Sequence, residues 1–153
     1  MSLLALAAAA AVAVGCGSNA EGGDSGLSTS SLSKAEYVKK VDEICELGQR
    51  QMIAEFSSYA RQQGTPDNLV DPKLAPGIVT VLIPAIKAQN EEIENLGAPA
   101  GDASEIEAFL NARRKVVARA EKRPPRNIFK FGDEFRYSPN KLATKYGLKA
   151  CVY

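Results

Sequence analysis

SKAEYVKKVDEICELGQRQMIAEFSSYARQQG, residues 33–64, reads as one long helix with a start, an inner face and a stop. Ser33-Lys34-Ala35-Glu36 is a capping box: the serine oxygen can accept from the amide three residues on, and Glu36 can reach back to the Ser33 amide. Val38, Val41, Cys45, Gly48, Met52 and Tyr59 then recur at heptad spacing, with Tyr37, Ile44 and Phe56 beside them. Gly64 supplies the stop, and Thr65-Pro66-Asp67-Asn68 reads as loop. A helix of this length needs partners to cover its apolar stripe, so the rest of the chain is expected to supply them.

It does so with further helices. Asp71-Pro72 is an N-cap followed by proline at the first helical position, and an inner stripe of Val79, Leu82, Ile86, Ile93 and Leu96 runs to Gly97. Pro84 falls inside that pattern, removes a donor to the Thr80 carbonyl and is expected to bend the helix around the core; a freed carbonyl lining a ligand cavity is the other reading. Asp102-Ala103-Ser104-Glu105 repeats the capping logic. A third helix then extends to about Lys122, with Ile106, Phe109, Leu110, Val117 and Ala120 inward and Arg113, Arg114 and Lys115 expected on a solvated face. Arg123-Pro124-Pro125 ends it. Ser138-Pro139 opens a short helix to Tyr146, closed by Gly147 in the left-handed position with Leu148 folded back. The expected fold is all-α: a small up-down bundle of three long helices plus a short C-terminal helix, closed by one disulfide.

Between them, residues 126–137 read RNIFKFGDEFRY. Phe129 and Phe131 alternate with Lys130, and Phe135 and Tyr137 with Arg136, around Gly132-Asp133, which suggests a small hairpin. Asp133 capping an early helical turn is the alternative. The aromatic side chains either pack on the bundle or, with Arg126, Lys130 and Arg136, form a membrane- or wall-facing patch of Arg126, Phe129, Lys130, Phe131, Phe135, Arg136 and Tyr137.

The N-terminal side has a different character. Residues 2–15 carry no charge and end Ala13-Val14-Gly15 before Cys16-Gly17-Ser18, which looks like a bacterial lipoprotein export signal with Cys16 as the lipidated residue. The run is too short for a stable bilayer span, which takes roughly 20 apolar residues. Residues 17–32, GSNAEGGDSGLSTSSL, are rich in Gly and Ser and are expected to form a flexible tether. The chain thus divides into a signal peptide at 1–15, lipidated Cys16 and linker at 16–32, and a helical domain at 33–153. With Cys16 carrying lipid, the remaining cysteines of the three, Cys45 and Cys151, form one pair in a compartment that permits disulfides.

Two segments carry a resemblance. Ser33 to Cys45 (SKAEYVKKVDEIC) resembles the start, and Lys141 to Cys151 (KLATKYGLKAC) the end, of small exported α-helical lipoproteins of actinobacteria. The middle, Leu82-Ile83-Pro84-Ala85-Ile86 through Leu96-Gly97-Ala98-Pro99, fits as well; the stretch from Arg123 to Pro139 departs from the pattern in being more basic and aromatic. The resemblance implies address and architecture, and no assigned activity.

The chain of 153 residues contains no His, so Ser-His-Asp and Cys-His sites are excluded. No clustered metal ligands or phosphate-binding glycine loop stand out, and Glu91-Glu92 and Glu105/Glu107 sit where helix faces meet solvent. No enzyme activity, cofactor or metal is expected. Net charge is +1, which argues against nucleic acid as a partner. The charge is uneven: from Arg113 onward twelve basic side chains face three acidic ones. Neutralisation by the acidic remainder, or a basic face toward anionic lipid or wall polymer, would each account for this. The expected function is a cell-envelope lipoprotein, anchored through Cys16 to the outer face of the membrane and presenting a helical binding module. Its partner would be an envelope protein, cell-wall polymer or a small apolar ligand; a structural spacer without a specific ligand is the alternative.

Overall fold

The computed structural model describes residues 27–153, so the run read as an export signal, Cys16 and the first part of the expected tether lie outside the described residues. Within them the chain is mostly helical and carries a Cys45–Cys151 disulfide. Helix α1 spans Lys34–Gln62, and both bonds of its capping box form: the Ser33 amide donates to Glu36 Oε2 at 2.9 Å and the Glu36 amide to Ser33 Oγ at 3.4 Å. The Ser33 donors hold the Glu36 carboxyl below its ordinary pKa. The buried face runs Tyr37, Val41, Cys45, Gly48, Met52, Phe56 and Ala60. It follows the heptad stripe at first, then drifts to Phe56 and Ala60 because a straight helix turns every 3.6 residues and not every 3.5.

The second rod is built from four pieces: a 3₁₀ turn at Pro72–Leu74, α2 at Ala75–Gly77, a π-helical turn at Ile78–Leu82, and α3 at Ile83–Asn95. The Asp71 side chain caps its start by accepting from the Lys73 amide at 2.9 Å. The π turn ends with the Ile83 amide donating to the Ile78 carbonyl, just before Pro84, which has no amide to give. The wider turn absorbs the irregularity that the sequence assigned to Pro84. Helix α4 spans Ala103–Lys122. Its N-cap Asp102 makes no capping bond; the carboxylate instead accepts from the Tyr146 hydroxyl at 2.6 Å and lies 3.4 Å from Lys34 Nζ.

Residues 128–137 are neither a hairpin nor a single turn. They form helix α5, Ile128–Tyr137, capped by Asn127, whose side chain accepts from the Lys130 amide at 3.0 Å. The alternation misled because the core lies at helical spacing: Phe131 and Phe135, four apart, are buried, with Ile128 partly buried against the same core cluster. Helix α6 covers Pro139–Tyr146 and ends as expected: Gly147 has φ of 103°, and the Leu148 amide reaches back to the Ala143 carbonyl at 2.9 Å.

Residues 27–32, expected in the tether, lie against the domain. Thr29–Ser30 (β1) pairs in parallel with Ala98–Pro99 (β2), and Leu27 and Leu32 pack on the core.

Two apolar clusters fill the interior. One holds Tyr37, Val41 and Cys45 of α1, Ile93 of α3, Ile106, Phe109 and Leu110 of α4, and Ala143 and Tyr146 of α6. The other holds Met52, Phe56 and Ala60 of α1, Leu74, Ile78, Leu82, Ile83 and Ile86 of the second rod, Val116, Val117 and Ala120 of α4, and Phe131 and Phe135 of α5. Each long helix passes between the clusters at a different kind of residue: Gly48 in α1, Gln89 and Asn90 in α3, Arg113 in α4. Arg113, expected in solvent, is 0% exposed.

Candidate functional site

The polar layer is built around Arg113. Its Nε donates to Asn90 Oδ1 at 2.6 Å, and its Nη2 donates to Gln89 Oε1 at 2.6 Å and to the Tyr153 hydroxyl at 3.2 Å. The Tyr153 hydroxyl donates in turn to Gln89 Oε1. Phe109 and Tyr153 present ring faces 5.5 and 5.2 Å from the guanidinium carbon. Nη1 has no partner among the described residues, and no carboxylate pairs with the guanidinium there. Every acceptor around this permanent cation is therefore neutral. Removing such a charge from water costs several kcal/mol, and its three bonds, at about 1.5–3 kcal/mol each, offset that cost without cancelling the charge.

Beside this layer, α1, α3 and α5 and the end of the chain enclose a cavity of about 460 Å³. Helix α1 contributes Gln49, Met52, Ile53, Phe56 and Ser57; Leu82 and Ile86 form the second wall. The third comes from Ile128, Phe131, Gly132 and Phe135 of α5, and Val152 and Tyr153 close the end. No lining side chain is charged. Part of the rim is open: Ile53 is 67% exposed, and Leu69 and Val152 are 40% exposed each. Tyr153 belongs to both features, since its ring lines the cavity and its hydroxyl meets Arg113. Its backbone is fixed by Asn140, whose Nδ2 donates to the Tyr153 carbonyl at 2.6 Å and whose Oδ1 accepts from the Tyr153 amide at 3.1 Å.

The disulfide holds this end of the chain in place. Cys45 and Cys151 are joined with Cα atoms 5.1 Å apart, the Gln49 side-chain Nε2 donates to the Ala150 carbonyl at 2.6 Å, and Asp42 Oδ1 accepts from the backbone amides of Lys149 and Ala150 at 2.9 Å each. At the far end of α6, the Tyr146 hydroxyl is pushed above its ordinary pKa by burial, reinforced by its bond to Asp102; burial does the same to Tyr37.

The aromatic-basic patch expected on residues 126–137 is divided by α5. Phe131 and Phe135 are buried and cannot face a membrane or wall, whereas Phe129 is 58% and Tyr137 83% exposed. Lys130 and Arg136 both lean on Asp133, at 3.7 and 3.5 Å, and Arg126 is exposed. A second groove of about 350 Å³ passes Thr80 and Pro84, but Glu55 and Glu92 at its edge and its mixed lining give it no single chemistry. Among the described residues there is no metal-binding cluster and no helix long and apolar enough to cross a membrane. The candidate-site residues that sequence reasoning missed are Gln89, Asn90, Arg113 and Tyr153. The signal was present for Arg113, which occupies the inward position between Phe109-Leu110 and Val116-Val117.

Comparison with protein-family models, curated proteins and solved structures finds no match to the chain.

Proposed function

We propose that the protein is a cell-envelope lipoprotein, held at the outer face of the membrane by a lipid on Cys16, whose up-down helical bundle binds a small apolar ligand in the cavity between α1, α3 and α5. The anchor rests on the apolar run ending at Cys16 and on the likeness of residues 33–45 and 141–151 to small exported lipoproteins. The ligand class rests on the cavity: about 460 Å³ with an uncharged lining and an exposed apolar rim. That volume falls within the range of roughly 300–1,000 Å³ typical of small-molecule sites, and is about three times the engineered cavity that admits benzene. Binding is favoured over catalysis because the lining offers only Gln49, Ser57 and the Tyr153 phenol as polar side chains.

An environment-sensitive apolar dye such as N-phenylnaphthylamine tests the cavity. Wild-type protein should bind it saturably at one site. Gly132→Phe, which projects a ring from a position with open space around its Cβ, should abolish that binding while leaving the helical signal intact. Equal dye binding by both proteins would refute the site and leave a spacer without ligand as the better account. For the anchor, Cys16→Ser should move the protein from the membrane fraction to the soluble one.

A further inference from the structure

Tyr153 touches both the apolar cavity and a buried cation. Arg113 is 0% exposed, its acceptors are two amides and a phenol, and its Nη1 is unpartnered. The Tyr153 ring forms the cavity wall at this point, 5.2 Å from the guanidinium carbon. We propose that the cavity takes a single-chain amphiphile with one anionic head, its tail along the α1–α5 wall and its head against Arg113. This rests on the apolar-ligand reading above and names the ligand class.

The geometry fits such a head. A carboxylate or phosphate accepts two parallel N–H bonds from a guanidinium. Nη1 is the free arm, and Nη2 shares its donors with the neutral oxygens of Gln89 and Tyr153. The Tyr153 hydroxyl thus stands where a head-group oxygen would bind. Because Asn140 and the Cys45–Cys151 bridge fix the backbone around residue 153, the ring alone has to turn away, losing its bond to Gln89 and its packing on Phe135 at 5.3 Å. In exchange, a buried charge gains an opposite one in a site shielded from water, where the attraction is strongest.

Dye displacement by oleate, methyl oleate and a monoalkyl phosphate tests this on the wild-type protein. Oleate or the phosphate should bind at least about tenfold tighter than methyl oleate, the scale of one charge-assisted hydrogen bond. Whichever anion binds tighter identifies the head group. Arg113→Met, an apolar side chain of similar reach, should bring the ratio of oleate to ester affinity to about one, and Tyr153→Phe should raise oleate affinity by removing the competing hydroxyl. Equal binding of both anions and the ester by wild-type protein overturns the anionic head but leaves the apolar-ligand reading standing. Binding of none of the three overturns both. The wild-type comparison decides the matter even if Arg113→Met fails to fold.

Discussion

Gly48→Ala would place a methyl group in space that the Gln89 side chain occupies, 2.7 Å from its Cδ and 2.8 Å from its Cγ and overlapping its amide nitrogen. In an ordinary helix interior this substitution stabilises by about 1 kcal/mol. Here Gln89 cannot simply swing away, because it is 3% exposed and its Oε1 accepts from both Arg113 and Tyr153. Losing the bond from the guanidinium costs about 1.5–3 kcal/mol and the phenol bond about 1 kcal/mol. Subtracting the helix gain leaves a net destabilisation of about 1.5–3 kcal/mol. Gly132→Ala in α5 is the internal control, since no neighbouring atom lies within 4 Å of its Cβ, and it should stabilise by about 0.5–1 kcal/mol. Urea unfolding followed by helix circular dichroism reads both as midpoint shifts of opposite sign with unchanged slope. In a Gln89→Ala background the Gly48→Ala penalty should disappear, which isolates the coupling. If Gly48→Ala stabilises wild-type protein as Gly132→Ala does, the polar layer is not constructed as described.

Other outcomes follow from the same contacts. Removing the Cys45–Cys151 bridge, which spans 106 residues, should cost up to about 4–5 kcal/mol in the chain-entropy model, and limited proteolysis of the reduced protein should cut first after α6. Asn127→Ala should destabilise by about 1 kcal/mol in thermal melts and weaken dye binding, because α5 loses its cap and forms a cavity wall. Tyr37 and Tyr146 keep their protons in the folded state beyond the ordinary value of 10.0. The unfolded chain releases them near 10.0, so the stability they contribute is complete below that pH and is lost as pH rises above it toward the folded values. Tyr37→Phe should therefore flatten the fall of stability with pH above 10.0, followed by tyrosinate absorbance and denaturant midpoint together; an unchanged slope would count against burial of the Tyr37 hydroxyl.

Signals carried within a few residues were legible. The Ser33–Glu36 box and the αL turn at Gly147 appear where the sequence places them, because each is satisfied by its own neighbours in the chain, and the apolar stripe of α4 follows from its helical period alone. The pairing of Cys45 with Cys151 was legible for another reason: of the three cysteines, reading Cys16 as the lipid site leaves each of the other two a single partner. Helix α5 was not legible. Its aromatic residues satisfy a period of two as readily as a helical one, and only the core against which Phe131 and Phe135 pack selects between them. The candidate site escaped for a related reason. Gln89 and Asn90 look like ordinary surface amides between Ile86 and Ile93, and Arg113 hides in a basic triplet. Their burial depends on where Gly48 and Tyr153 meet them, which is long-range information. The docking of residues 27–32 on Ala98–Pro99 belongs to the same class.

The layer of Gly48, Gln89, Asn90 and Arg113 also acts as a key for alignment. Apolar stripes alone let one helix slide past another by a turn with little penalty, since Leu, Ile and Val fit many neighbours. Here each rod has an apolar stretch on either side of its polar or missing side chain. Sliding α1 by one turn would set Cys45 or Met52, in place of Gly48, against the Gln89 amide, and sliding α4 would drive the Arg113 charge among Ile93 or Ile86. The first error displaces the Gln89 amide that holds Arg113 and the second strands the charge itself, a fault of several kcal/mol where a whole domain holds about 5–15. Folding thus has a single low-energy alignment of its three long rods, and it is the alignment that brings Cys151 to Cys45 and lets the bridge close.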